Sequence, residues 1–194
     1  MMLKLPDYYN QLAPMPKDPP NSVSMEAENQ HSHIYVIMFP VQKRQCMPFD
    51  DPQKVIDVIH RNLTDEQGLI EVDTGKTVLG KNYIYNIKKC HGDTSGVLYI
   101  LTCNTDDNEA CVHLQGFFDE TGAPGIRSGS ILAQSRFAGI VSEDLEGWAE
   151  DPYDPEYKNG ALMNLSEHRK FDSAFPSHPL SMARELVRYI AENN

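Results

Sequence analysis

Residues 83–87, 96–103 and 111–118 are dense in β-branched and aromatic residues, and turn-type compositions at 91–95 and 104–109 separate them. Connections that short join only antiparallel neighbours, so the pattern predicts a three-strand meander. With each hairpin taken as symmetric about its loop, Tyr83, Tyr85, Ile87, Val97, Tyr99, Leu101, Cys103, Cys111, His113, Gln115 and Phe117 share one face. Ile84, Asn86, Lys88, Leu98, Ile100, Thr102, Val112, Leu114 and Phe118 share the other. The second face has the plainer aliphatic centre and is expected to carry the helices. The first mixes tyrosines, sulfur and imidazole with aliphatics and reads either as a half-covered surface or as a lined cleft.

The same patterns place the remaining elements. Residues 22–26 alternate like a half-buried strand, and the nearly unbroken apolar run 34–39 has strand length and predicts burial on both faces, inside the sheet. Asp50, Asp51 and Pro52 form a helix start, with Val55, Ile56, Ile59 and Leu63 marking one face of a helix near 52–63. A strand over 69–72, a turn at 73–75 and a short strand through Val78 and Leu79 lead into the meander. Ile131, Leu132, Ser135, Phe137 and Ala138 predict a short helix closed by Gly139. A short helix over 166–171 follows, then a stripe of Leu180, Ala183, Leu186, Val187 and Ile190 at helical spacing. The fold class expected is α+β: a mostly antiparallel sheet in the order β-β-α-β-meander-α, covered by helices.

Three segments are expected. Residues 1–21 contain five prolines and read as an extended arm whose Leu3, Leu5, Tyr8, Tyr9 and Leu12 pack on the body. Residues 22–140 form the antiparallel α+β domain. Residues 141–194 hold an acidic loop, with seven carboxylates and one lysine over 142–160, and C-terminal helices packed on the same domain. Trp148, Tyr153 and Tyr157 are expected to anchor that loop.

Charge narrows the partners. The net charge of −11 over 194 residues disfavours nucleic acid, which needs clustered Lys and Arg, and an anionic membrane surface would repel the chain. Met1 to Leu5 run directly into Pro6 without an apolar signal region, and no stretch has the length to span a bilayer, so a cytoplasmic location is expected. Four cysteines, Cys46, Cys90, Cys103 and Cys111, lack C-x-x-C spacing and are expected as free thiols in a reducing compartment.

Candidate chemistry is sparse. Cys111 and His113 share a strand face, with Cys103 expected opposite Cys111, which would suit a thiolate nucleophile with a base or part of a zinc site. Strand neighbours two apart lie roughly 6–7 Å from each other, too far for a direct hydrogen bond without favourable rotamers, so a packed surface is the plainer reading. Gly75, Lys76 and Thr77 lack the earlier glycine of a phosphate loop and read as a turn. Asp51, Asp57 and Glu66, and Asp151, Asp154 and Glu156, read as caps and solvated turns rather than calcium ligands. Asp119 and Glu120 with Arg127 could meet a ligand at a loop mouth or form a surface ion pair. No metal or cofactor is expected.

The order of elements over residues 22–140 resembles the α/β/α sandwich of the PsbP-type photosystem subunits and the Ran-binding nuclear import factor. Residues 47–52, 67–72, 116–122 and 179–194 are similar to those of an uncharacterised family of gut Firmicutes and related bacteria. The resemblance implies a fold and a bacterial origin; that family has no established activity, so no functional residue follows. The reading of function is a non-enzymatic binding or protein-interaction module for an unknown protein or small molecule, contacting it through Tyr83, Tyr85, Tyr99, His113, Gln115 and Arg127. The alternative is a hydrolase or thiol-dependent enzyme built on Cys111 and His113.

Overall fold

The computed structural model describes residues 2–92, 96–107 and 110–194. Among these, seven strands form one antiparallel sheet: β1 (Asn10–Gln11), β2 (Val23–Glu28), β3 (Ser32–Gln42), β4 (Gln67–Lys76), β5 (Asn82–His91), β6 (Val97–Asp107) and β7 (Ala110–Glu120). Their order across the sheet is β1-β2-β3-β7-β6-β5-β4. The helices are α1 (Pro52–Asn62), α2 (Ile126–Phe137) and α3 (Pro179–Asn193), with 3₁₀ segments at Leu165–Glu167 and Arg169–Ala174. The architecture is the expected α+β fold, and the meander has four strands rather than three.

Local chemistry accounts for the helix ends. Asp51 caps α1 by accepting from the Lys54 N–H at 3.0 Å, and Pro52 takes the first position, where no donor is lost. Gly139, at a φ of 69°, follows α2 in the left-handed conformation that stops a helix. His178 caps α3 through Nδ1, which accepts from the Leu180 N–H at 3.2 Å.

The expected strand through Val78 and Leu79 is absent. β4 runs unbroken to Lys76, and both residues lie exposed at the tip of the β4–β5 hairpin. In β3, Ile34, Val36 and Met38 are buried on one face, whereas Tyr35 and Phe39 on the other are half-buried, so burial of this strand is less even than its apolar run suggests.

The largest correction concerns register. β5 and β6 keep the expected shared face, with Tyr85 opposite Cys103 and Ile87 opposite Leu101. β6 runs on to Asp107, which pairs with Ala110, so only 108–109 separate the strands. Those two residues and 93–95, in the other expected turn, lie outside the described residues. The shorter connection shifts β7 by three positions, so that Cys103 meets Leu114 in place of Cys111; because side chains alternate with period two and three is odd, every one changes face. Cys103 therefore faces Leu114, and Cys111 faces Asp106. Val112, Leu114 and Phe118 join the tyrosine face; Cys111, His113, Gln115 and Phe117 leave it.

That tyrosine face holds the main core. Ile34, Val36, Tyr85, Ile87, Tyr99, Leu101, Leu114 and Phe118 pack against Leu180, Ala183, Leu186, Val187 and Ile190 of α3. The expectation that the aliphatic face would carry the helices is thus half right. On it, α1 covers Leu69, Val72 and Ile84 with Val55 and Ile56. Leu3, Leu5 and Tyr9 of the N-terminal arm are buried in the main core, and Tyr8 is exposed.

Candidate functional site

Between α3 and the β4–β5 hairpin lies a cleft of about 780 Å³, floored by Tyr83 and Tyr85 and walled by Arg169, Asp172, Arg184 and Val187. The tyrosine face is accordingly a lined cleft at its β5 end and a packed core elsewhere. Strand alternation puts Tyr83 and Tyr85 on the same side, 6.4 Å between ring centres.

Glu71 organises the cleft from beneath. It stands within the buried strand segment around Leu69 and Ile70 and is itself only 8% exposed. Its carboxylate accepts from Arg169 Nε at 2.9 Å and Nη2 at 2.8 Å, from Arg184 Nε at 2.9 Å, and from the Tyr85 hydroxyl. Arg169 Nη2 also donates to the Tyr85 oxygen and reaches Asp73 at 3.4 Å. Burial alone would raise the Glu71 pKa; the hydrogen bonds from Arg169 and the charge of Arg184 override it and hold the carboxyl below the ordinary range. Burial, then the Glu71 charge, pushes the Tyr85 phenol far above its ordinary value.

Arg184 extends the network along α3. Its Nη1 donates to both oxygens of Asp172, at 3.0 and 3.2 Å, and its Nη2 to the Glu167 carbonyl at 2.8 Å. Asp172 also accepts from Arg127 Nη2 at 3.0 Å and lies 3.2 Å from the Ser181 hydroxyl. Behind it, Glu167 accepts from Lys89 Nζ at 2.8 Å and the Tyr99 hydroxyl at 3.0 Å. Carboxylates and cations alternate through this layer, so each buried charge has partners.

The six residues expected to form one surface divide three ways. Tyr83 and Tyr85 line the cleft. Tyr99, 3% exposed, and Arg127, 1% exposed, are buried in the polar layer. Arg127 binds Asp172, the Ser181 hydroxyl and the carbonyls of Ser166 and His168, so it forms neither a loop-mouth contact nor a surface ion pair with Asp119 or Glu120. Glu120 instead accepts from the N–H groups of Gly125 and Val97, at 2.9 and 3.3 Å.

His113 and Gln115 lie on the opposite face, half-buried. His113 sits 5.0 Å from the Phe39 ring, with Nδ1 3.1 Å from Asn104 Nδ2. Around them, outside the cover of α1, Tyr35, Ile100 and Phe117 form a half-exposed row across neighbouring strands.

The four-thiol expectation is overturned: Cys111 is joined to Cys46 by a disulfide. In this state Cys111 has no thiolate to offer and cannot act as a nucleophile with His113. Of the free thiols, Cys103 is fully buried, and burial pushes its pKa up to about 12; Cys90 is half-buried. Among the described residues, no group of three His, Cys, Asp or Glu side chains is arranged to hold a metal ion. Likewise no helix of the described residues is long and apolar enough to cross a membrane.

The residues that matter most in the cleft, Glu71, Arg169, Asp172 and Arg184, were not among the sequence candidates. Two of them carried a signal. Glu71 interrupts the apolar run of its strand, and Arg184 stands four residues after Leu180, beside the buried stripe of α3; a charge in either setting needs a partner. Compared with known proteins, the chain matches no family model and no curated protein.

Proposed function

We propose that this protein is a non-enzymatic binding module that takes a small molecule into the cleft between α3 and the β4–β5 hairpin. The observation that carries the reading is the cleft itself: about 780 Å³, within the roughly 300–1,000 Å³ usual for ligand pockets, with its aromatic floor and charged wall already held in place. Pre-ordered walls lower the cost of fixing side chains on binding. The groups at its base favour binding over acid–base chemistry, because Glu71 is held ionised and Tyr85 protonated well away from neutrality.

A second reading keeps the protein-interaction role. The half-exposed Tyr35, Ile100 and Phe117 supply aromatic and aliphatic contact area of the kind enriched in interfaces. The Cys46–Cys111 bond favours an oxidising surrounding over the reducing cytoplasm expected from the sequence. The resemblance to the PsbP-type sandwich and to a bacterial family is a proposal about descent and assigns no residue to the cleft.

The test is a thermal-shift screen of a fractionated small-molecule extract against the protein and its Ala191→Trp variant, whose indole would fill the cleft. A ligand at a hundred times its Kd stabilises by about 2.7 kcal/mol. Fractions that stabilise the native protein and leave A191W unchanged support the reading; equal stabilisation of both proteins refutes it.

A further inference from the structure

The charges lining the cleft are not evenly satisfied. Among the acids, Asp172 is held by Arg127 and Arg184, and Glu185 pairs with Arg188 at 3.1 Å. Asp73 accepts from the Thr74 N–H at 2.8 Å and meets a cation at 3.4 Å, Arg169. Glu192 stands eight residues beyond Arg184 on α3, about 12 Å away at 1.5 Å per residue.

Among the cations, Arg184 has all three nitrogens engaged. Arg169 differs. Its side chain is 57% exposed, its Nε and Nη2 are held by Glu71 and Tyr85, and its Nη1 has no partner among the described residues. Lys170, beside it, has its Nζ 5.0 Å from the Phe171 ring and pairs with no carboxylate among the described residues. The cleft thus presents two neighbouring cations with free donors, one fixed in orientation by a buried carboxylate. A fixed guanidinium suits the planar, paired oxygens of an oxyanion. Tyr83 and Val187 offer an aromatic and aliphatic wall alongside.

We infer that the cleft binds a small molecule carrying an oxyanion, carboxylate or phosphate, on an aromatic or apolar body, with the anion on Arg169 and Lys170 and the body along Tyr83 and Val187. The inference rests on the reading of this cleft as a ligand site. With a net charge of −11 the protein repels anions at long range, so the attraction is local and weakens with added salt.

The experiment titrates benzoate, phenyl phosphate, benzyl alcohol and benzylamine into isotope-labelled full-length protein, reading amide shifts and binding heat. Benzoate and phenyl phosphate are expected to saturate and to shift the amides of Tyr83, Lys170 and Val187. Benzyl alcohol and benzylamine are expected to bind at least about ten-fold more weakly, and the stronger of the two anions identifies the head group. Arg169 also supports Glu71, so the decisive variant is Lys170→Gln, which breaks no ion pair. It should weaken both anions several-fold and leave benzyl alcohol unchanged. Equal affinity for anions and neutral probe, or anion affinity untouched in both Lys170→Gln and Arg169→Gln, overturns the oxyanion assignment and leaves the cleft as a binding site. No cleft shift from any of the four probes at millimolar concentration overturns both readings.

Discussion

The Tyr153 hydroxyl donates to the Val72 carbonyl at 3.0 Å and accepts from the Val72 N–H, so one side chain of the acidic loop occupies the outer edge of β4. The neighbouring edge groups are also engaged. The Thr74 N–H donates to the Asp73 carboxylate at 2.8 Å, and the Ala161 N–H donates to the Gln67 carbonyl at 2.9 Å. Gly68 permits that last approach, since a Cβ there would strike the Ala161 carbonyl. An edge strand with open donors and acceptors invites pairing with another chain. Tyr153→Phe should therefore cost about 1–3 kcal/mol, the usual range for a buried backbone group left unpaired. Urea denaturation measures the loss, and light scattering should show more self-association than in the native protein.

Glu71 joins Arg169 and Arg184 to one carboxylate, with both the Arg184 and Glu71 side chains largely buried. Removing the acid leaves Arg184 Nε without its acceptor, with the Asp172 carboxylate and the Glu167 carbonyl holding the other two nitrogens. Glu71→Ala should destabilise by roughly 3–5 kcal/mol, as for other broken buried pairs. A cycle with Arg184→Met tests the coupling, because the double variant should lose less than the two single losses combined. Additive losses would mean that the two side chains act independently.

Both findings separate what the sequence made legible from what it did not. Local signals were readable: the Asp51 cap and the apolar stripe of α3 stand where their spacing put them, and of the aromatic anchors of the acidic loop Tyr153 binds Val72 and Tyr157 stacks on His60. Leu186, on that stripe, is fully buried, so Leu186→Asp should unfold the protein or cost several kcal/mol. Register was not readable, because period-two alternation fixes a face only once the loop length is known, and the extension of β6 to Asp107 moved Cys111, His113 and Gln115 across the sheet. The cleft was half legible. Tyr83 and Tyr85 follow from their strand, whereas Arg169 and Asp172 arrive from a 3₁₀ segment about a hundred residues away, and no local pattern encodes that meeting.

Acid should destabilise the protein in two stages. His113, His168 and His178 all have pKa values below the ordinary histidine value, with burial the first cause in each. As pH falls through the ordinary value of about 6.5, the unfolded chain takes up protons that the folded one does not, and stability drops. Glu71 and Glu120 bring the second stage. Burial would raise both; Arg169 and Arg184 at Glu71, and His178 with the Gly125 N–H at Glu120, lower them. Their contribution is complete above the ordinary carboxylate value and is lost as pH falls through the lowered folded values. Denaturation midpoints should decline from neutrality to about pH 5 and fall further below about pH 4. His113→Asn should flatten part of the first decline and spare the second. A midpoint constant between pH 7 and 5 would contradict the burial of these imidazoles.

The Cys46–Cys111 bond makes the sharpest claim on solution chemistry. It ties the connection after β3 to the second residue of β7, with Cα atoms 6.5 Å apart, inside the usual range for a disulfide. Val41 already pairs with Cys111 across the sheet, and the Met47 N–H donates to the Asn104 side chain of β6 at 3.1 Å, so hydrogen bonds also hold the segment against β6 and β7. The bond closes a loop of 65 residues; in the chain-entropy account, opening it should cost up to roughly 4 kcal/mol. Thiol titration in denaturant without reductant should find two thiols, Cys90 and Cys103, and four once reductant is added. In the native protein Cys90 should react first, because Cys103 is fully buried with its pKa raised to about 12. The Cys46→Ser, Cys111→Ser double variant should unfold at lower urea concentration, and reductant should no longer change its midpoint. Four thiols without reductant would remove the bond and return Cys111 to a free thiol two residues from His113, reopening the thiol-enzyme reading that the disulfide closes.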